Sequence, residues 1–215
     1  MNRLAAFIAI AAAMSLAAPA RANAQDKLAN LAAVLGELRA GGLVIYFRHA
    51  STNQSGATDE DADQAKCETQ RNLSAAGREQ ATQIGRAFQA LAIPVGTVTT
   101  SPFCRCKDTA QLAFGRFTVS DDLYYSIGTD ISDTRRFARS LRRRLSTVPA
   151  TRTNAVIVSH TANLREATGI WPDREGVAYV FRPSSEGVFE AIAKVIPDDW
   201  GNLARLQSSG TTKSR

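Results

Sequence analysis

The sequence predicts an α/β fold: a three-layer α/β/α sandwich around a mostly parallel central sheet. Three observations lead there. Residues 43–47 and 154–158 are short, nearly continuous apolar runs of the kind that form strands buried on both faces. Between them lie stretches whose apolar residues recur at helical spacing. Strand-like and helix-like segments also alternate along the chain, as parallel strands joined by helical crossovers require.

The elements follow in order. Residues 1–24 begin with Arg3, run apolar from residue 4 to residue 18, and end on Ala22, Asn23 and Ala24, with small residues where a signal peptidase reads. This segment is expected to be an export leader cleaved before Gln25. Its apolar run is shorter than the ~20 residues that span a bilayer. Asp26 is the expected cap of a first helix carrying Leu28, Leu31, Leu35 and Leu38 on one face and ended by Gly41 and Gly42. The first strand, 43–47, runs straight into Arg48 and His49. Residues 51–70 are polar, with Asp59, Glu60, Asp61 and Asp63, and read as a long surface loop; loops of that length are usually functional or disordered. Ser74 caps a helix to about Leu91 with Ile84, Phe88 and Leu91 inward, and Pro94 stops it. Residues 95–100 form a second strand, Ser101 and Pro102 turn, and a helix follows near 107–114. Residues 133–148 form a helix with Phe137, Leu141, Leu145 and Val148 on one side. Residues 154–158 form a buried strand ending at Ser159 and His160, and 177–181 with 188–195 form a closing hairpin. The domain is expected to run over residues 25–206, with 207–215 a frayed, flexible tail.

Composition narrows the functional classes. At 215 residues, 44% hydrophobic and 21% charged, the chain suits one globular domain and excludes a disordered, collagenous or disulfide-dense protein. The net charge is +6; losing residues 1–24 removes Arg3 and Arg21 and no acids, leaving 24 basic against 20 acidic side chains, or +4. That mild excess favours small anionic substrates and is no nucleic-acid signature. Export also makes the compartment permissive for disulfides among Cys67, Cys104 and Cys106.

The whole chain holds two histidines, and each directly follows a buried strand. In open α/β sheets, ligands bind in the crevice outside the carboxyl ends of the strands. Arg48 adjoins His49, and Arg105 follows the second strand. Guanidinium groups offer planar paired donors that fit phosphate oxygens. Two arginines and two imidazoles in one crevice make a pocket for a phosphoryl group, in which a neutral imidazole can attack phosphorus. No HExxH, paired CxxC or GxxxxGK[ST] pattern is present, so neither a metal nor a nucleotide cofactor is expected.

These residues resemble the histidine phosphatase superfamily, with its phosphoglycerate mutase-like fold. The resemblance rests on Phe47-Arg48-His49-Ala50, where glycine is usual at the last position; on Leu73, Ser74 and Gly77; on the segment from Ser101 through Arg105 to Thr109 and Ala110; and on Val158-Ser159-His160. Within the superfamily the chain is most similar to exported members of the lipopolysaccharide core heptose phosphatase kind, sharing the leader, a cysteine before Gln70-Arg71-Asn72-Leu73, and Gly176-Val177-Ala178-Tyr179-Val180. The resemblance implies that His49 is the phosphorylated nucleophile and that Arg48, Arg105 and His160 complete the phosphate pocket, with Asn53 or Ser55 adding a hydrogen bond. It also implies a carboxylate acid for the leaving oxygen. Glu175 is the favoured candidate; Asp121, Asp122, Asp130, Asp133 and the acidic loop at 59–63 are the others. The expected partner is a small phosphorylated substrate, an envelope glycolipid phosphate among the options, in the periplasm or outside the cell. A catalytically silent phospho-ligand binding protein on the same fold is the alternative.

Three cysteines allow one bridge and leave one thiol. Cys67–Cys104 would tether the loop beside Arg105, with a stabilisation of ~3–4 kcal/mol on the chain-entropy estimate; Cys67–Cys106 and three free thiols are the alternatives. Arg135, Arg136, Arg139, Arg142, Arg143 and Arg144 crowd one helix. They read either as a solvated face or as a patch for an anionic membrane surface.

Overall fold

The computed structural model describes residues 28–212 except 55, 56, 58, 60, 61, 185 and 186. The expected leader, Asp26 and Ser55 lie outside the described residues. Among the described residues the sheet has six strands in the order β3-β2-β4-β1-β5-β6. β1 (Val44–Arg48), β2 (Val95–Thr100), β3 (Thr118–Val119) and β4 (Asn154–Ser159) are mutually parallel. β5 (Ala178–Pro183) and β6 (Phe189–Val195) add an antiparallel hairpin beside β1. The sheet is therefore mixed and mostly parallel, as expected.

β1 shows how alternation builds the three layers. Ile45 and Phe47 face a core made with α1 (Leu31–Ala40), α2 (Ala75–Ala90), α3 (Cys104–Phe114) and α6 (Pro197–Thr212). Val44 and Tyr46 face the other core, against α4 (Ile131–Ser146) and α5 (Thr161–Thr168). Successive strand residues point to opposite faces, so Val44 to Phe47, buried on both sides, are all aliphatic or aromatic, and the strand ends on the half-buried Arg48.

Several boundaries differ from the expectation, each for a local reason. α1 begins at Leu31, where the Asn30 side chain accepts from Ala33 N–H; its buried stripe is Leu31, Val34, Leu35 and Leu38. α3 begins at Cys104 rather than near Lys107, so Cys104, Arg105 and Cys106 form its first turn. α4 begins after Asp130, whose carboxylate accepts from Ser132 and Asp133 N–H, and it stops at Ser146, leaving Val148 exposed. β3 and α5 are short, and the sequence pattern does not reveal them.

The expected frayed tail from Gln207 is helical through Thr212, as the end of α6. A polar stretch with Gly201 has little helix propensity. Trp200, fully buried against Phe88 (ring centroids 4.7 Å apart) and Phe47 (6.0 Å), anchors the start of α6, and Arg39 Nη2 donates to Gln207 Oε1 at 2.8 Å further along. Tertiary packing supplies what propensity lacks.

Two close approaches fix the ground beneath the crevice. A Cβ on Gly77 would lie 1.8 Å from the Ser51 carbonyl oxygen, so glycine at this point lets α2 press against the chain leaving β1. At φ 78°, Gly176 donates its N–H to His49 O at 2.8 Å, tying the segment before β5 to the end of β1.

Candidate active site

The carboxyl ends of β1 and β4 are adjacent, since Arg48 pairs in register with Ser159. That register brings His49 and His160 together, with ring centroids 5.6 Å apart and both side chains buried. The His49 N–H bonds Ser159 O, and Tyr46 Oη donates to His160 O at 2.6 Å, locking the two strand ends.

Each imidazole's partners define its tautomer. His49 Nδ1 lies 2.9 Å from Ala50 O, an acceptor only, so Nδ1 carries the proton and Nε2 keeps a free lone pair. His160 Nδ1 accepts from Arg105 Nη2 at 3.2 Å, so its proton sits on Nε2, which donates to Ser101 Oγ at 2.8 Å. Burial, followed by the nearby Arg105 charge, holds the pKa of both histidines well below the usual imidazole value. Both are therefore neutral near pH 7. Cys106 lies against His160, its Sγ 3.7 Å from Nε2; burial pushes its thiol up to about 12, and it stays protonated.

Ala50 stands where the resemblance has glycine. It is fully buried against Leu73 and Ala81, and among the described residues only Ala92 and Arg152 combine a side chain with positive φ. The position needs no left-handed backbone, and a methyl group fits.

Three guanidinium groups meet beside the imidazoles. Arg105, on the first turn of α3, is fully buried, its Cζ 4.4 Å from the centre of the Phe103 ring and 5.7 Å from that of Tyr125. Arg48 reaches Glu175 through Nη2 at 3.6 Å, and Arg71 reaches it through Nη1 at 3.0 Å. Asp59 joins the cluster from the other side, with Oδ1 2.6 Å from Arg105 Nη1 and Oδ2 3.5 Å from Arg71 Nη2. The Nε–H groups of Arg48 and Arg105 are buried with no partner among the described residues.

Glu175 is more tightly bound than its sequence position suggested. Oε2 accepts from Thr52 N–H at 2.9 Å, and Oε1 accepts from Thr52 Oγ1 at 2.7 Å as well as from Arg71. Asn53 is exposed, and its backbone N–H bonds Asn72 O; Thr52 is the neighbour that enters the cluster. Asp121, Asp122, Asp130 and Asp133 are not part of it: Asp130 caps α4, and Asp122 and Asp133 pair with Arg136.

Arg71, Thr52 and Ser101 are the residues that sequence reasoning did not single out for the site. Arg71 had a signal, since it lies in the Gln70–Leu73 stretch quoted for the resemblance, but its role depends on a distant pairing. Thr52 forms an isolated bridge with Leu73, and the Cys67–Cys104 disulfide (Cα–Cα 5.7 Å) pins the segment to α3. Gln70 Oε1 completes the join by accepting from Cys104 N–H at 2.8 Å. Cys106 is the unpaired thiol. Beside Asp59 opens a cavity of about 650 Å³ lined by Phe103, Tyr124, Tyr125, Ile127, Gly128 and Thr129. Among the described residues no group of three or more His, Cys, Asp or Glu is arranged to hold a metal ion.

Of the arginines on α4, Arg136 pairs with Asp122 and Asp133, Arg142 donates to Ala167 O, and Arg144 donates to Ser120 Oγ. Half of that row is thus engaged in holding the fold.

Comparison with known proteins agrees with this fold. The model of the histidine phosphatase superfamily (branch 1) matches residues 44–123, which carry Arg48, His49, Arg71 and Arg105. Solved structures share the fold at low identity. The protein histidine phosphatase SixA complexed with tungstate has a TM-score of 0.52 and 15% identity, over 73% of this chain and 98% of its own. A phosphoserine phosphatase variant from Entamoeba histolytica, in complex with phosphoserine, has a TM-score of 0.51 and 13% identity, over 73% and 98%. The alpha-ribazole phosphatase from Shigella flexneri has a TM-score of 0.51 and 16% identity, over 69% and 94%. No curated protein sequence matches the chain.

Proposed function

We propose that this chain is a histidine phosphatase of the superfamily whose model matches residues 44–123, and that it hydrolyses phosphomonoesters through a covalent phosphohistidine at His49. The observation that carries the reading is a buried, neutral imidazole, its Nδ1 bonded to Ala50 O, that lies in the field of Arg105, Arg48 and Arg71. The lone pair on Nε2 attacks phosphorus while Arg48, Arg71 and Arg105 neutralise the phosphoryl oxygens. His160 orients Arg105 through Nδ1 and completes the phosphate pocket. The ester oxygen leaves with a proton from a carboxyl group, and water then attacks the phosphohistidine to release phosphate and restore His49.

The resemblance to exported members extends the proposal to a periplasmic or secreted enzyme, and the Cys67–Cys104 bridge supports an oxidising compartment. The solved relatives named above act on, or hold, small phosphorylated or oxyanion ligands, which supports a substrate of that size; an envelope glycolipid phosphate is one such source.

A panel of phosphomonoesters tests the reading. Turnover is expected with the wild-type chain and is expected to be lost by ~10³-fold or more in His49→Ala, because the nucleophile itself is gone. Full activity in His49→Ala would refute the mechanism. Phosphate or vanadate binding without turnover across the panel would favour the silent binding protein.

A further inference from the structure

We propose that Asp59 is the proton donor to the leaving group and that, before substrate binds, its carboxylate holds the place of the phosphoryl group. The inference rests on the phosphatase reading above and names a catalytic residue for it.

Among the described residues two carboxylates reach the arginine cluster, and their surroundings differ. Glu175 accepts from Thr52 N–H, Thr52 Oγ1 and Arg71, and pairs with Arg48. Both of its oxygens are committed, and half of those bonds come from Thr52, which bridges to Leu73. It lines a different cavity, of about 410 Å³, with Ser51, Gln80, Asp173 and Arg174. Glu175 is built as a brace that positions Arg48 and Arg71.

Asp59 has Arg105 Nη1 and Arg71 Nη2 as its ion-pair partners among the described residues. Those are guanidinium groups that a phosphoryl group needs. A phosphoryl group and the Asp59 carboxylate compete for the same donors, so substrate binding displaces Asp59 from Arg105 and Arg71, and the displaced group carries a proton taken from solvent to the ester oxygen. Asp59 also lines the 650 Å³ cavity with Phe103, Tyr124, Tyr125 and Ile127, the space beside the cluster that suits the organic part of a substrate. It thus stands between the phosphoryl site and the leaving group, where a general acid must be.

The steps balance. His49 Nε2 forms a bond to phosphorus as the P–O ester bond breaks; its electron pair stays on the ester oxygen, which takes the proton of Asp59 and departs as an alcohol. Water then adds to phosphorus, gives a proton to the Asp59 carboxylate, and the N–P bond breaks to free neutral His49 and inorganic phosphate.

Two esters of similar size test this. Benzyl phosphate leaves as a strongly basic alkoxide unless it is protonated, whereas 4-nitrophenyl phosphate leaves as a stable phenolate without help. The readout is the ratio of kcat/KM for 4-nitrophenyl over benzyl phosphate, which reports steps through phosphoryl transfer and is blind to later hydrolysis. In Asp59→Asn and Asp59→Ser the ratio is expected to rise about 10²-fold, the low end of general acid catalysis. It should stay within threefold of wild type in Glu175→Gln. Retained nitrophenyl turnover shows that the Asp59 variants are folded. A rise below tenfold in both Asp59 variants, or an equal rise in Glu175→Gln, overturns the proposal. Failure of the phosphatase reading looks different: the wild type turns over neither ester.

Discussion

At the residue scale, scarcity carries most of the chemistry. Both histidines of the chain are buried and kept neutral, and a neutral imidazole is the form that attacks phosphorus. The same burial has a thermodynamic consequence. With native pKa values held well below about 6.5, the unfolded value, the unfolded chain binds protons as pH falls through that range and the folded chain does not. Stability is then fully present above about pH 6.5 and declines below it, by up to about 1.4 kcal/mol per pH unit for each histidine. Urea unfolding at pH 7, 6 and 5.5, without phosphate in the buffer, should show the decline. A flat or rising profile over that interval would mean that these imidazoles protonate freely in the fold.

At the scale of elements, the site is assembled by joints between segments far apart in sequence. The parallel register of β1 on β4 brings the two histidines together, and the first turn of α3 delivers Arg105 to His160. Asn154, buried at the head of β4, accepts from Leu43 N–H and donates to Leu38 O and Pro94 O, so one amide ties α1, β1 and the entry to β2 into place. The disulfide does similar work for Arg71. Cys67 and Cys104 are 37 residues apart, and closing a loop of that size contributes ~3–4 kcal/mol on the chain-entropy estimate. Replacing both with serine is expected to lower the unfolding free energy by roughly that amount. It should also raise KM several-fold with a smaller change in kcat, because Arg71 loses its anchor while His49 does not. Unchanged melting temperature and KM in the double variant would show that the bridge positions nothing.

At the scale of the molecule, most of the fold was legible because its central strands are unambiguous. β1, β2 and β4 are short apolar or β-branched runs, and both histidines stand at strand ends, which already marks the crevice. The shortfalls have one common cause: tertiary contacts override local pattern. α6 is polar and contains Gly201, yet Trp200 anchors it to Phe47 and Phe88. α5 has eight residues, too few for a clear periodicity. The site divides in the same way. His49, Arg48, Arg105, His160 and Glu175 could be named because they adjoin recognisable elements. Arg71 and Thr52 belong to the polar 51–73 stretch, where a bridge, a disulfide and side-chain bonds define the shape and hydrophobic patterning says nothing. Asp59 could be named only as one acid among several in that loop, since its pairing with Arg105 spans 46 residues.

The central claim is that phosphate passes through His49. The direct measurement is rapid mixing of the wild-type chain with a radiolabelled aryl phosphate, quenching in alkali, where phosphohistidine survives, and mapping of the labelled peptide. A burst of label is expected on the peptide containing His49, lost on brief acid treatment and absent from His49→Ala. Steady turnover with no label on the protein at any time, or label on a peptide without His49, would contradict it.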